Sequence, residues 1–232
     1  MPPMTPLEDD PRVRRGMERQ FELRRRRLGE GARPIGWKLG LGTSAAMEQH
    51  GTSAPLVGFL TDRTLLEAGD VVAVGGWSKP TAEPEIAVHV ATDLPPAADR
   101  ATVAAAIGGL GVAIEIVDIT GGEVEEILAG DIFHRHVVLG AASAGIEASD
   151  LRGEIAHGDE VLVVDDPLAL VPEPIAAVTH LSAHLAAFGE TVKAGDVLIT
   201  GSIVPALAIA PGDRVNYRLE PLGALTLDVS EQ

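Results

Sequence analysis

The chain has 232 residues, of which 46% are hydrophobic but only 3% aromatic, and its formal net charge is −16. That leaves ample apolar material for a core built from Val, Leu, Ile and Ala. The same charge repels a phosphate backbone and excludes nucleic acid as the main partner. With no cysteine, disulfides, Cys-ligated zinc and thiol nucleophiles are excluded.

Residues 1–10 read as a loose tail without the apolar stretch of a signal peptide. Asp10 followed by Pro11 is a helix start, as cap and first helical position, and the helix runs to about Leu28 before Gly29 and Gly31 stop it. Its Arg24–Arg27 run reads as a solvated face. From residue 35 the texture changes to short β-rich runs: IGWKLGL, VVAVGGW, EIAVHV, VAIEIVDI, HVVLGA, EVLVV, DVLITGS and RVNYRLE. A Gly-Asp pair precedes a β-rich run at 69–70, 130–131, 158–159, 195–196 and 212–213. Gly supplies positive φ and Asp bonds back to local backbone, so each pair reads as a turn feeding a strand. Helices are few: a short one from Thr43 or Ser44 to His50, an Ala-rich one over 99–108, and one over 174–188 with Val178, Leu181, Leu185 and Phe188 on one stripe. The expected division is a tail and helical arm over 1–34 and a single catalytic β-roll domain over 35–232. No apolar run is long enough to span a bilayer, so the expectation is a soluble cytoplasmic protein with no membrane partner.

In TAEPEIAVHV (81–90) strict alternation puts Glu83 and Glu85 on one face with Ala87 and His89, while Pro84, Ile86, Val88 and Val90 line the other. Such a pair is either a solvated strand face or an ion site. Glu115 sits inside the apolar run GVAIEIVDI (111–119), where an ionised carboxylate is costly unless it is paired or coordinated. Three convergent carboxylates without cysteine would suit a hard cation such as Mg2+ or Mn2+. His180 and His184 stand four apart on a helix but flank its apolar stripe, and read as packing histidines. His134 and His136, read as strand residues, share a face with Ile132 opposite Phe133 and Arg135, either as a substrate-facing cluster or as a strand edge. No G-x-S-x-G elbow or dinucleotide fingerprint occurs.

The segments GWKLGLGTS (36–44), PLVGFLTD (55–62), EPEIAVHV (83–90), AIEIVD (113–118), VVLG (137–140) and KAGDVLITGS (193–202), in that order, resemble the fumarylacetoacetate hydrolase superfamily, in its 2-keto-4-pentenoate hydratase and 4-oxalocrotonate decarboxylase branch. The resemblance implies a mainly β fold with a few helices (α+β), a rolled mixed β-sandwich of the fumarylacetoacetate hydrolase C-terminal domain type. It implies Mg2+ or Mn2+ held by Glu83, Glu85 and Glu115, Lys38 as a substrate-facing cation and Asp62 as its acid–base partner. Thr200 and Ser202 would lie near the substrate carboxylate. The implied activity is hydration of a 2-hydroxy-2,4-dienoate, with a 4-oxalocrotonate-type decarboxylase or an acylpyruvate-type C–C hydrolase as alternatives, in a homodimer or larger homo-oligomer. A binding scaffold with a degenerate site is the non-enzymatic alternative. The chain departs from the branch at Gly130-Asp131-Ile132, where an Ala-Asp-Asn segment is usual. Arg135 could there hold a second carboxylate of a dicarboxylic 2-oxo acid.

Overall fold

The computed structural model describes residues 7–232, so only the first six residues of the expected tail lie outside it. A short 3-10 turn over Leu7–Asp9 buries Leu7. Helix α1 (Pro11–Gly29) follows, capped by Asp10, whose carboxylate accepts from Arg12 N at 2.8 Å. Strand β1 (Pro34–Gly40) leads to α2 (Ser44–His50), then β2 (Leu56–Thr61), β3 (Leu65–Leu66), β4 (Val71–Ala73) and the long β5 (Pro80–Val90). Next come α3 (Arg100–Ala106), β6 (Ile107–Asp118), α4 (Val124–Ala129), β7 (His134–Leu139), β8 (Arg152–His157) and β9 (Glu160–Val164). The chain closes with α5 (Pro174–Ala186), β10 (Val197–Ser202), β11 (Leu207–Ala208), β12 (Arg214–Glu220) and β13 (Gly223–Ser230). The described residues are mainly β with five α-helices, as the resemblance implied. Among the described residues no helix is long and apolar enough to cross a membrane.

One sheet runs β2-β1-β10-β5-β6-β7-β3, with β11 added beside β5, and the other runs β4-β13-β12-β8-β9. Most neighbours are antiparallel, but β1 with β10, β3 with β7 and β4 with β13 are parallel. The two end strands of the large sheet, β2 and β3, are joined through residues 62–64 alone. The sheet must therefore curl until its edges approach each other. Packing shows the same closure: Leu60 of β2, Ala87 of β5, Ala113 of β6, Val137 of β7 and Ile199 of β10 form one small buried cluster inside the curl. The alternate residues, among them Ile86, Val88, Val112, Ile114 and Leu198, face outward into the main core. That core also takes Tyr217 of the second sheet and Val13, Met17 and Phe21 of α1. Alternation thus gives β5 and β6 two apolar faces along much of their length; the inner one carries the glutamates, and the outer one is charged at the end of β6, at Asp118.

Four of the five Gly-Asp pairs behave as the sequence suggests, with Gly69, Gly158, Gly195 and Gly212 at positive φ. The pair at 130–131 differs. Gly130 has φ −88° as the C-cap of α4, and the left-handed residues are Asp131, Ile132 and Phe133, at φ 65°, 51° and 65°. Each such residue with a Cβ costs on the order of 1 kcal/mol. This run stops β7 from beginning before His134. The expected common face for Ile132, His134 and His136 is therefore corrected: the first of them lies outside the strand, and an extra residue, Arg135, bulges where Ile116 pairs with His136 and Val117 with His134.

Helix α1 braces this turn. Gln20 is fully buried and its amide nitrogen donates to Val57 O at 3.1 Å and to Leu128 O at 2.9 Å, tying β2 to the end of α4. Gln20→Ala removes the amide that links Val57 O to Leu128 O and opens a cavity in a dry interior, leaving Leu128 O with its bond from Asp131 N. It is expected to lower the unfolding free energy by about 2–4 kcal/mol in urea titration. A change below about 0.5 kcal/mol would contradict this bracing role.

Candidate metal centre

Glu83 of β5 stands directly opposite Glu115 of β6 in the antiparallel ladder. Opposed residues share a face with Cβ atoms roughly 5 Å apart, and Glu85, two positions on, joins them. One carboxylate oxygen from each of Glu83, Glu85 and Glu115 lies within 4.8 Å of the others. Glu85 and Glu115 are fully buried and Glu83 is partly exposed, at the mouth. Glu85 Oε2 accepts from Gly201 N at 2.6 Å, where β10 breaks its register with β5. The other oxygens, Glu85 Oε1 and Glu115 Oε2, are buried with no hydrogen-bond partner. An unpartnered anionic oxygen in a dry interior is expensive, and a cation removes that cost.

Lys38 of β1 is 1% exposed and points into the same interior. Its ammonium bonds Glu115 Oε1 and donates to Ile132 O at 3.0 Å. The strained left-handed turn thus presents a carbonyl to the lysine. Gly58, on the neighbouring β2, makes room: a Cβ there would sit 2.8 Å from Lys38 Cγ and 2.9 Å from Asp131 Oδ1. Asp131, fully buried, accepts from Phe59 N at 2.9 Å and lies 3.6 Å from Arg27. His134 completes the group, with Nδ1 2.6 Å from Glu115 Oε1.

The charges set one another. Burial alone would lower Lys38, but Glu115 and Asp131 overcome it and hold the lysine above its ordinary pKa. Burial would likewise raise Glu115, yet Lys38 and His134 hold it below the usual carboxylate value. Glu83 is pushed up to about 7 by burial and by Glu115, against the pull of Lys38. Burial, with Glu115 and Glu83 adding to it, drives Glu85 well above the carboxylate range. Asp131 is pushed up to about 7 by burial, opposed by Lys38. Asp131 has Arg27 beside it, so the three glutamates, once ionised around a cation, would leave two negative charges against the one ammonium. That is the charge of one divalent cation.

Beside Glu83 opens a cavity of about 430 Å³ whose wall includes Thr200, Ser202, Leu41, Val171 and Val204. Thr200 Oγ1 donates to Ile86 O at 3.3 Å and Ser202 Oγ to Val204 O at 2.8 Å. Of the residues singled out in the sequence, Glu83, Glu85, Glu115 and Lys38 come together, with Thr200 and Ser202 on the adjoining wall. Asp62 is not brought to this group: its carboxylate accepts from Arg33 N and Arg33 Nε, both at 2.8 Å. Arg135 is not either; it lies 3.3 Å from Asp118 and over the Trp77 ring. His180 bonds Pro55 O and His184 packs on Phe188, as structural histidines do. His134, left in the sequence between a substrate-facing cluster and a strand edge, faces the carboxylate group without His136, and Asp131 joins it; both placements depend on the left-handed turn. The Ile132 departure from the usual Asn was the one signal pointing there.

Residues 38–230 match the family model described as fumarylacetoacetate (FAA) hydrolase C-terminal. A 4-oxalocrotonate decarboxylase of Pseudomonas putida is 31% identical over 215 residues, covering 89% of this chain and 81% of its own. A 2-keto-4-pentenoate hydratase of Dechloromonas aromatica (strain RCB) is 28% identical over 206 residues, covering 84% and 78%. Two solved structures of the 4-oxalocrotonate decarboxylase from Pseudomonas putida G7, one complexed with calcium and acetate and one with magnesium and adipate, match with a TM-score of 0.85. They are 28% and 27% identical, with 94% of this chain and 85% and 86% of theirs covered.

In metal-free protein, Glu83 and Asp131 have folded values of about 7 against ordinary values of 4.5 and 3.8. A raised acid stabilises the fold below its unfolded pKa and loses that contribution as pH rises through the folded one. The stability of metal-free protein in urea is therefore expected to fall between pH 5 and pH 8, and Glu83→Gln to flatten the slope. An unchanged slope in the variant would contradict the assignment.

Proposed function

The chain belongs to the fumarylacetoacetate (FAA) hydrolase C-terminal family, and on that premise we propose that it is a divalent-metal-dependent lyase acting on a small 2-oxo acid, hydrating a 2-hydroxy-2,4-dienoate. The observation that carries this reading is the buried carboxylate group, with two unpartnered oxygens and a net charge matched by one divalent ion. In this reading Glu83, Glu85 and Glu115 hold Mg2+ or Mn2+. The ion supplies a Lewis acid that polarises the keto group of a 2-oxo acid and stabilises the enolate next to it.

The chain's own residues do the rest. Lys38, kept protonated by Glu115 and Asp131, offsets negative charge in the dry interior. Thr200 and Ser202 each hold one hydroxyl proton, now given to a backbone carbonyl, and can turn it toward a substrate carboxylate. Leu41, Val171 and Val204 form the apolar wall that limits water to the reacting end. Asp62 and Arg135 receive no chemical role here, because Arg33 and Asp118 already hold their charges.

Decarboxylation of a 4-oxalocrotonate-type diacid is the second reading, favoured by the likeness to the decarboxylases. It would use the same electron sink, with carbon dioxide leaving instead of water adding. The C–C hydrolase alternative has support only at the level of fold, since a fumarylpyruvate hydrolase of Pseudomonas aeruginosa is 14% identical with a TM-score of 0.64. The intact carboxylate group argues against a degenerate scaffold. We place the enzyme in the cytoplasm as a homodimer or larger assembly, with Val161, Leu162 and Val163 on the edge strand β9 as exposed apolar surface for a copy to cover.

The test is a panel of 2-hydroxy-2,4-dienoates and a matching diacid, followed by ultraviolet loss of the dienol band. Chelation is expected to abolish turnover, Mg2+ or Mn2+ to restore it, and Glu85→Gln to lower kcat by about 100-fold or more. Light scattering of the same preparation should give the mass of at least two chains. Full activity in chelator would remove the metal reading. Turnover of the diacid with carbon dioxide release, and none of the monoacid, would select the decarboxylase. A single-chain mass would remove the assembly.

A further inference from the structure

The two oxygens of Glu115 are treated unequally. Oε1 takes both donors, the Lys38 ammonium and His134 Nδ1, the latter at 2.6 Å. Oε2 is buried and takes none. The imidazole is fixed in turn, because its Nε2 lies 2.9 Å from Thr64 Oγ1 and the residue is only 4% exposed. Thr64 belongs to the short link between β2 and β3, and Val137 N donates to its carbonyl at 2.9 Å. The line Thr64–His134–Glu115 therefore runs from the seam where the curled sheet closes to the centre of the carboxylate group.

Two backbone irregularities create this line. The left-handed turn at 131–133 delays β7, and the bulge at Arg135 lets His134 turn inward while His136 stacks on Trp77. A histidine buried only to fill space would need no hydrogen bond from either nitrogen to a charged group. Lys38 alone does not fix the carboxylate plane, because an ammonium on a flexible stem is a point charge without planar preference. A planar ring held at both nitrogens does fix it. Carboxylates that ligate an ion are themselves hydrogen-bonded by outer partners, and such bonds orient the ligand.

We propose that His134 is a positioning residue for the cation site: donating to Glu115 Oε1 from a ring that Thr64 anchors, it leaves Oε2 as the oxygen offered to the ion. The inference deepens the metal-dependent reading above and rests on it.

The experiment is Mn2+ titration of the purified full-length protein without substrate, reading free Mn2+ by electron paramagnetic resonance. His134→Ala is expected to raise Kd about 10–100-fold. His134→Asn, whose amide N–H stands in for Nδ1–H, should recover most of that loss. Thr64→Val, with His134 in place, should raise Kd about threefold or more. Wild-type Kd in both His134→Ala and Thr64→Val, with Glu115→Gln unable to bind, overturns the positioning role and leaves the metal reading intact. Absence of Mn2+ binding in the wild-type protein overturns both. Should His134→Ala fail to fold, Thr64→Val decides alone: a weaker Kd supports the role and an unchanged one overturns it.

Discussion

The ion pair between Lys38 and Glu115 lies in an interior where neither side chain is more than 1% exposed, and the rest of the site is arranged around it. Two charges taken this far from water gain little net stability over an apolar pair of the same volume. What they impose is a charge pattern. Glu115 is held ionised, and burial together with its charge raises Glu83 and Glu85 beside it. A group of that kind is unsatisfied on its own and is relieved by a doubly charged ion. The interior is thus prepared for a cation by the cost of leaving it without one.

The curl of the large sheet makes this interior. Joining its two end strands through residues 62–64 brings β2 over β7, so Gly58, Asp131 and Lys38 come within contact of one another. Small residues are needed under the carboxylates, which is why Ala87 and Ala113 pack there. The second sheet supports the wall from outside: the Tyr217 hydroxyl donates to Glu85 O at 3.1 Å, fixing the backbone of β5 beside the carboxylate group. Among the described residues, three of the five left-handed positions that carry a Cβ fall in the 131–133 turn, Leu41 and Ala97 being the other two, and what that run obtains is a carbonyl aimed at Lys38 and a strand start that turns His134 inward. A run of three consecutive left-handed residues beside buried charges is the pattern expected where function and not packing dictates the backbone.

Much of this was legible in the residue order. The alternation of 81–90 puts Glu83 and Glu85 on one face, and the apolar run around Glu115 marks it as buried; both features follow from the two-residue period of a strand. Asp10-Pro11 and the stripe over 174–188 define their helices for equally local reasons. The strands β2, β8 and β13 and the short helix α4 were harder to read, since their apolar residues are few or interrupted by Gly and charge. Asp131 and His134 could not be read at all from period. Gly130-Asp131 looks like the other Gly-Asp turns, yet here the aspartate takes the left-handed conformation and bonds Phe59 N across the sheet. A bulge then reverses the alternation on which any facing argument depends. The assignment of Asp62 beside Lys38 came from the resemblance, and no local feature of the sequence shows that Arg33 holds that carboxylate.

The central claim is that Glu83, Glu85 and Glu115 close around one divalent ion. Crystals of the full-length protein grown with Mn2+, with anomalous differences collected near the manganese edge, test it most directly. One peak per chain is expected at bonding distance from an oxygen of each of the three glutamates, with Glu115 bound through Oε2. A manganese peak at another place, or no peak while the three carboxylates find protein partners instead, would contradict it.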